Sequence, residues 1–210
     1  ADYDEERATR MMRLGWACLF LQRLDDSEQV YRQVLDRRQE SLGADHAKTL
    51  QVRAMLADIL SYQQRSGEAV EEYRFIFNAR TRVLGADHPD TLFTQSILGD
   101  YLIRDERYPE AEKQLRAAVA GYERTGMEGF GLARTWLGLA RSIRLGGRLR
   151  EALPWHQKVQ AYCDAELSDR HPVCDGNLRD VGWISQQLGD EDRVRQIRAR
   201  LNAAKNGNDR

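Results

Sequence analysis

A nine-residue phrase occurs twice in this chain, as LGADHAKTL at residues 42–50 and as LGADHPDTL at residues 84–92. The copies stand 42 residues apart and agree at seven of nine positions. A translational repeat constrains a fold more than composition can, because each position must then serve in several equivalent places. Other positions recur at the same step. Leu14-Gly15, Leu56-Ala57, Leu98-Gly99, Leu139-Ala140 and Val181-Gly182 follow one another at intervals of 42, 42, 41 and 42, a branched apolar residue always preceding a small one. Thirteen residues beyond each Leu or Val come Ser27, Ala69, Ala111, Ala152 and Val194, and seven further on Val34, Ile76, Ala118, Val159 and Leu201. Between these sets lie Tyr31, Tyr73, Leu115, His156 and Ile197.

Within a unit, apolar residues recur at three- and four-residue spacing, as in Leu56, Ile59 and Leu60, then Ala69, Tyr73 and Ile76. That period predicts two amphipathic helices per unit, with the small residues allowing close approach of their backbones. One helix pair cannot bury its apolar stripe, so neighbouring pairs must stack. The pattern predicts an all-α solenoid of about five helix-turn-helix units, ten helices, forming a single array over 5–206. The units fall near 5–42, 47–84, 89–126, 130–167 and 172–206, and residues 207–210 are expected to be a disordered tail. The last helix carries one apolar stripe (Val194, Ile197, Leu201), as a terminal cap requires. At the other end, Met11, Met12, Leu14 and Phe20 are expected to face a missing upstream neighbour.

The repeated phrase reads as the joint between units. Gly43 and Gly85 stand where a helix should stop in the left-handed conformation. Pro89 and Pro172 begin the next helix, where no amide is needed, and the preceding Asp or His can cap it. Asp90 and Thr91 suit the positive end of the helix dipole. The third joint, ERTGMEGFGLART, lacks His-Pro, is one residue shorter and holds Gly126, Gly129 and Gly131. It is either a neutral variant or a hinge between three units and two.

The order Leu-Gly-small-small, with Tyr and Ala in the following helix, resembles the tetratricopeptide repeat. The 42-residue period with its LGADHPDTL joint is similar to the kinesin-light-chain variety, which also occurs in bacterial regulatory and signalling proteins. The resemblance implies a right-handed solenoid whose first helices line a concave groove, and peptide or protein binding in that groove. Counting from the ladder, Trp16, Asp58, Asp100, Arg141 and Trp183 lie two residues beyond, and Arg13, Met55, Ile97, Gly138 and Asp180 one before. Positions five and six beyond include Phe20, Tyr62, Arg104 and Arg144. The family's peptide-carboxylate clamp needs Lys, Asn or Arg at set groove positions, and the row from Arg13 to Asp180 does not supply it.

The groove is expected to be aromatic and apolar at its N-terminal end, acidic at Asp58 and Asp100, and basic in the fourth unit. Between Met127 and Arg150 five arginines (Arg134, Arg141, Arg144, Arg148, Arg150) face the single acid Glu128. Arg134, Arg141 and Arg144 share a helical face, and guanidinium forks recognise carboxylate or phosphate in pairs of hydrogen bonds. Two readings stand open. An acidic or phosphorylated segment crosses the groove there, with Trp16, Tyr62 or Trp183 as anchors, or the arginines are solvated surface paired with acids of units two and three. Trp136 and Trp155 are expected to fill interhelical core, and His156 to be a packed histidine.

Charge is balanced, with 32 Lys+Arg against 33 Asp+Glu, so nucleic acid and anionic membrane are not expected partners. No apolar run approaches the roughly 18 residues of a membrane span. GxxxxGK[ST], GxGxxG, HExxH and GxSxG are all absent. His46, His88 and His171 each have an Asp nearby, but their recurrence at joints marks them as structural. No catalytic residues, no metal site and no cofactor are expected. Three cysteines (Cys18, Cys163, Cys174) without CxxC spacing read as reduced thiols of a cytoplasmic protein, with a Cys163–Cys174 bridge the minority alternative. The function expected is therefore a non-catalytic interaction module. The alternative is a regulatory or sensor region of a larger bacterial signalling protein, such as a transcriptional regulator, kinase or nucleotide-switch ATPase, favoured by the acidic start without Met. Oligomeric state is not legible.

Overall fold

The computed structural model describes residues 5–205, so the expected tail lies outside the described residues. Ten helices follow one another: α1 (Glu5–Phe20), α2 (Leu24–Leu42), α3 (Ala47–Tyr62), α4 (Ser66–Leu84), α5 (Pro89–Arg104), α6 (Tyr108–Thr125), α7 (Phe130–Leu145), α8 (Leu149–Glu166), α9 (Pro172–Gln187) and α10 (Glu191–Lys205). No strand occurs among the described residues, and the fold is an all-α repeat solenoid. The chain divides into two compact units, Ala1–Glu106 and Arg107–Arg210. In the first, α1 to α5 each pack on the next; in the second, α6 to α10 do the same, and α7 also meets α9. The glycine-rich joint therefore lies inside the second unit, and the division falls elsewhere.

The repeat positions do the packing. Leu56, Leu98, Leu139 and Val181 are buried, as are Tyr31, Tyr73, Leu115, His156 and Ile197. The small residue after the ladder has a visible cause. A Cβ on Gly15 would come within 2.6 Å of the Tyr31 ring, and one on Gly182 within 3.2 Å of Ile197. Ser27 Oγ adds a hydrogen bond to the Gly15 carbonyl at 2.8 Å. Leu14 departs from its counterparts and is 56% exposed; it lies on α1, which has no helix before it among the described residues.

The joints are capped by their histidines. Nδ1 of His46, His88 and His171 accepts from the backbone N–H of Lys48, Asp90 and Val173 at 3.2, 3.1 and 3.3 Å. Pro89 and Pro172 occupy the first helical position. Gly43 and Gly85 do not adopt the expected left-handed helical stop. Both combine φ near +92° with an extended ψ, a region essentially restricted to glycine. The left-handed stop occurs at Gly126 instead.

The turns inside the pairs hold a second repeat. Positive φ recurs at Gln22, Gln64, Glu106, Gly147 and Gly189. Around four of these, the next residue's N–H reaches back five residues, from Arg23 to Cys18, Arg65 to Leu60, Arg148 to Ile143 and Asp190 to Ser185, a Schellman stop. A side chain in this conformation costs about 1–2 kcal/mol, and glycine returns part of that through unfolded-state entropy. Gln64→Gly is therefore expected to raise stability by about 0.5–1 kcal/mol in chemical denaturation; a loss would show that the Gln64 side chain holds the turn.

The cysteines correct the expectation of reduced thiols. Cys163 and Cys174 form a disulfide with Cα atoms 5.8 Å apart, and Cys18 stays free and buried. Cys163 stands fourteen residues into its helix, as do Arg38, Arg80 and Tyr122. At that place Arg38 donates to the Lys48 carbonyl (2.7 Å) and Arg80 to the Asp90 carbonyl (3.1 Å). The fourth joint thus replaces an arginine clamp with a covalent one.

Candidate functional site

In the first unit the expected groove residues fall on α1, α3 and α5. Arg13 is exposed, and exposed Trp16 stacks on Phe20 with centroids 5.8 Å apart. Asp58 is not an open carboxylate. It accepts a short hydrogen bond from the Tyr101 hydroxyl, and burial, the largest influence, pushes its carboxyl above the ordinary range against the pull of Tyr101 and Arg104. The Tyr101 ring in turn stacks on Tyr73 at 4.6 Å. Arg104 lies 5.2 Å from the Tyr101 centroid and donates to Ser61 Oγ at 3.1 Å. Asp100 is half-buried, and Tyr62 is exposed. The acidic middle of this face is therefore largely a stitch between α3 and α5.

In the second unit Arg141 and Arg144 converge on one acid. Arg141 Nε donates to Asp180 Oδ2 at 2.6 Å, and Arg144 Nη2 lies 3.2 Å from Asp180 Oδ1. Their partner comes from the fifth repeat, whereas Arg148 does meet an acid of the third, Glu112. Arg144 also lies 5.3 Å from the Trp183 centroid, and Trp183 is exposed. Gly176 makes room for Arg141, since a Cβ there would come within 2.6 Å of Nη2. Arg134 is half-buried on the same helix. Arg148 pairs instead with Glu112 and Glu151. Two guanidiniums against one carboxylate leave a positive excess beside an open indole, and Arg144 Nε is buried with no partner among the described residues. Asp180 was visible as a groove position, but its role was not. It stands 39 residues after Arg141, one period less three, which places it opposite on the next unit's first helix.

Beneath this cluster His156 is fully buried, as expected. Its Nδ1 lies 2.8 Å from Asn177 Oδ1, while Asn177 Nδ2 donates to the His156 carbonyl at 3.2 Å. Burial holds the imidazole below its ordinary value of 6.5, opposed by Asn177 and Asp180 and aided by Arg141 and Arg144. The folded state thus refuses a proton that the unfolded chain accepts, so stability is full above that value and lost as pH falls below it. Unfolding free energy should drop between about pH 7.5 and 5.5 more steeply in wild type than in His156→Gln. Equal slopes in denaturant titrations would contradict this. Trp136 and Trp155 are half-buried, Trp136 packing on the cluster that holds the disulfide, Trp155 lying under Lys158.

Among the described residues no group of three or more His, Cys, Asp or Glu could hold a metal ion, and no helix is long and apolar enough to cross a membrane.

Solved structures share this architecture. The kinesin-light-chain TPR-like repeats of Podosopora anserina align with a TM-score of 0.75 at 20% identity, covering 95% of each chain. BtubC from P. vanneervenii gives 0.73 at 16% identity, over 92% of this chain and 80% of that one. Aspartyl phosphate phosphatase F from Bacillus subtilis gives 0.67 at 15% identity, over 97% and 51%. No curated protein sequence matches the chain. The tetratricopeptide repeat family matches residues 6–74 and 56–124, more than half of the sequence. With five helix pairs stepping at 41 or 42 residues and histidine caps at three of the four joints, the chain belongs to the tetratricopeptide repeat family, in the fold of the kinesin-light-chain-like repeats.

Proposed function

We propose that this chain is a non-catalytic protein–protein interaction module that receives an acidic segment of a partner on the first-helix face of its second unit. The observation that carries the reading is the convergence of Arg141 and Arg144 on the single carboxylate of Asp180 beside exposed Trp183. The excess positive charge and the flat guanidinium–indole surface suit a carboxylate or phosphate next to an apolar side chain. In the first unit, Arg13, Trp16 and Tyr62 are the exposed residues that suit contact with a partner. Stacked helix pairs offer such surfaces without gathering a reaction centre. In this reading the setting is cytoplasmic; Cys163 and Cys174 are at most 1% exposed, which shields their bond from thiolate attack.

Fluorescence polarisation with a labelled acidic peptide and its basic counterpart tests the proposal. The acidic peptide should bind more tightly, and Arg141→Glu with Arg144→Glu should weaken it by roughly tenfold or more, as loss of two charge-assisted contacts implies. Equal binding by wild type and variant removes it. The alternative, a regulatory region within a longer signalling protein, gains support from aspartyl phosphate phosphatase F, where a similar array makes up about half of the chain.

A further inference from the structure

Away from the arginine face, the second unit contains a cleft of about 820 Å³ where the C-terminal turns of α6 and α8 meet the flank of α7. This volume lies in the range of small-molecule sites. Tyr122, Leu132, Trp136 and Tyr162 supply an apolar and aromatic lining. Glu123, Glu128 and Glu166 stand around it, exposed and without an ion-pair partner among the described residues. The local structure explains the opening. The third joint has no histidine cap, Gly126 and Gly129 turn the chain with positive φ, and a Cβ on Gly131 would meet the Tyr122 hydroxyl at 2.8 Å.

Charge selects the ligand. Three carboxylates face one cation, Lys158, and the helix ends at α6 and α8 add the negative poles of two dipoles. The N-terminus of α7 opposes them, but with a single pole. Lys158 shows what the lining accepts, since its ammonium stands 5.5 Å from the Trp136 centroid and 4.7 Å from that of Trp155.

We propose that this cleft binds a small organic cation, an ammonium group carried on an aromatic or aliphatic body, with the body against Tyr122, Leu132 and Trp136 and the charge among Glu123, Glu128 and Glu166. The site is independent of the acidic-segment reading. Lys158 occupies part of it in the free protein and competes with the ligand.

Ligand-observed NMR titrations of the full chain test this with phenethylammonium, neutral 2-phenylethanol and anionic 3-phenylpropionate. The cation should bind saturably and roughly tenfold more tightly than the anion. Glu128→Gln with Glu166→Gln, both at exposed positions, should weaken the cation severalfold and leave 2-phenylethanol unchanged. Lys158→Gln should tighten it. Equal binding of cation and anion, indifference to the glutamate changes, or no saturable binding at millimolar probe would each overturn the proposal.

Discussion

Reduction of the Cys163–Cys174 bond should lower the stability of the second unit by about 3 kcal/mol, the chain-entropy value for a loop of about ten residues. The bond closes an 11-residue separation between the end of α8 and the first turn of α9. It takes the place held by arginine-to-carbonyl hydrogen bonds at the first two joints, so nothing else clamps this joint in the same way. Its sulfurs sit among Leu137, Val159 and Val173, with Trp136 packed against them. For a unit of this size the loss should appear as a fall in melting temperature of roughly 10 °C or more in the presence of a phosphine reductant. Thiol titration of the unfolded chain should find one reactive thiol before reduction, from Cys18, and three after it. Three thiols before reduction, or a melting temperature insensitive to reductant, would show the cysteines unpaired.

The second large effect separates two residues that the repeat makes equivalent. Leu56→Ala should cost about 3 kcal/mol or more, because Leu56 is fully buried and its cavity cannot collapse between packed helices. Leu14→Ala, at the same rung one unit earlier, should cost less than about 0.5 kcal/mol. Urea unfolding of the two variants measures the contrast. Equal losses would mean that Leu14 is covered in solution.

That contrast also shows what could be read from letters and what could not. Translational self-similarity made the solenoid of ten paired helices legible, because Leu56, Ala69, Tyr73 and Ile76 must each meet equivalent neighbours. Side-chain identity at the joints located the caps, His46, His88 and His171, and the first-turn prolines. The signal failed where the same geometry is reached by different residues. Gln22 and Gln64 hold the left-handed turn that Gly147 and Gly189 also hold, so no single letter marks it in every unit. Arg38, Arg80 and Cys163 clamp equivalent joints by unrelated chemistry. The arginine row was legible as a cluster, but its partner Asp180 lies 39 residues on and becomes visible only when neighbouring first helices are laid side by side. The cleft at the third joint had a sequence sign, the missing His-Pro and the added glycines, yet its acidic and aromatic lining comes from α6, α7 and α8 together.

Asp180 offers the most direct test of the interaction surface. It occupies the two guanidiniums that an incoming carboxylate would need, so it acts as an internal competitor. Asp180→Asn keeps the side chain's shape and removes its charge. In a fluorescence-polarisation titration, with helicity unchanged by circular dichroism, the acidic peptide should bind Asp180→Asn several-fold more tightly than wild type, with a steeper salt dependence. Unchanged or weaker binding by the folded variant would contradict the account.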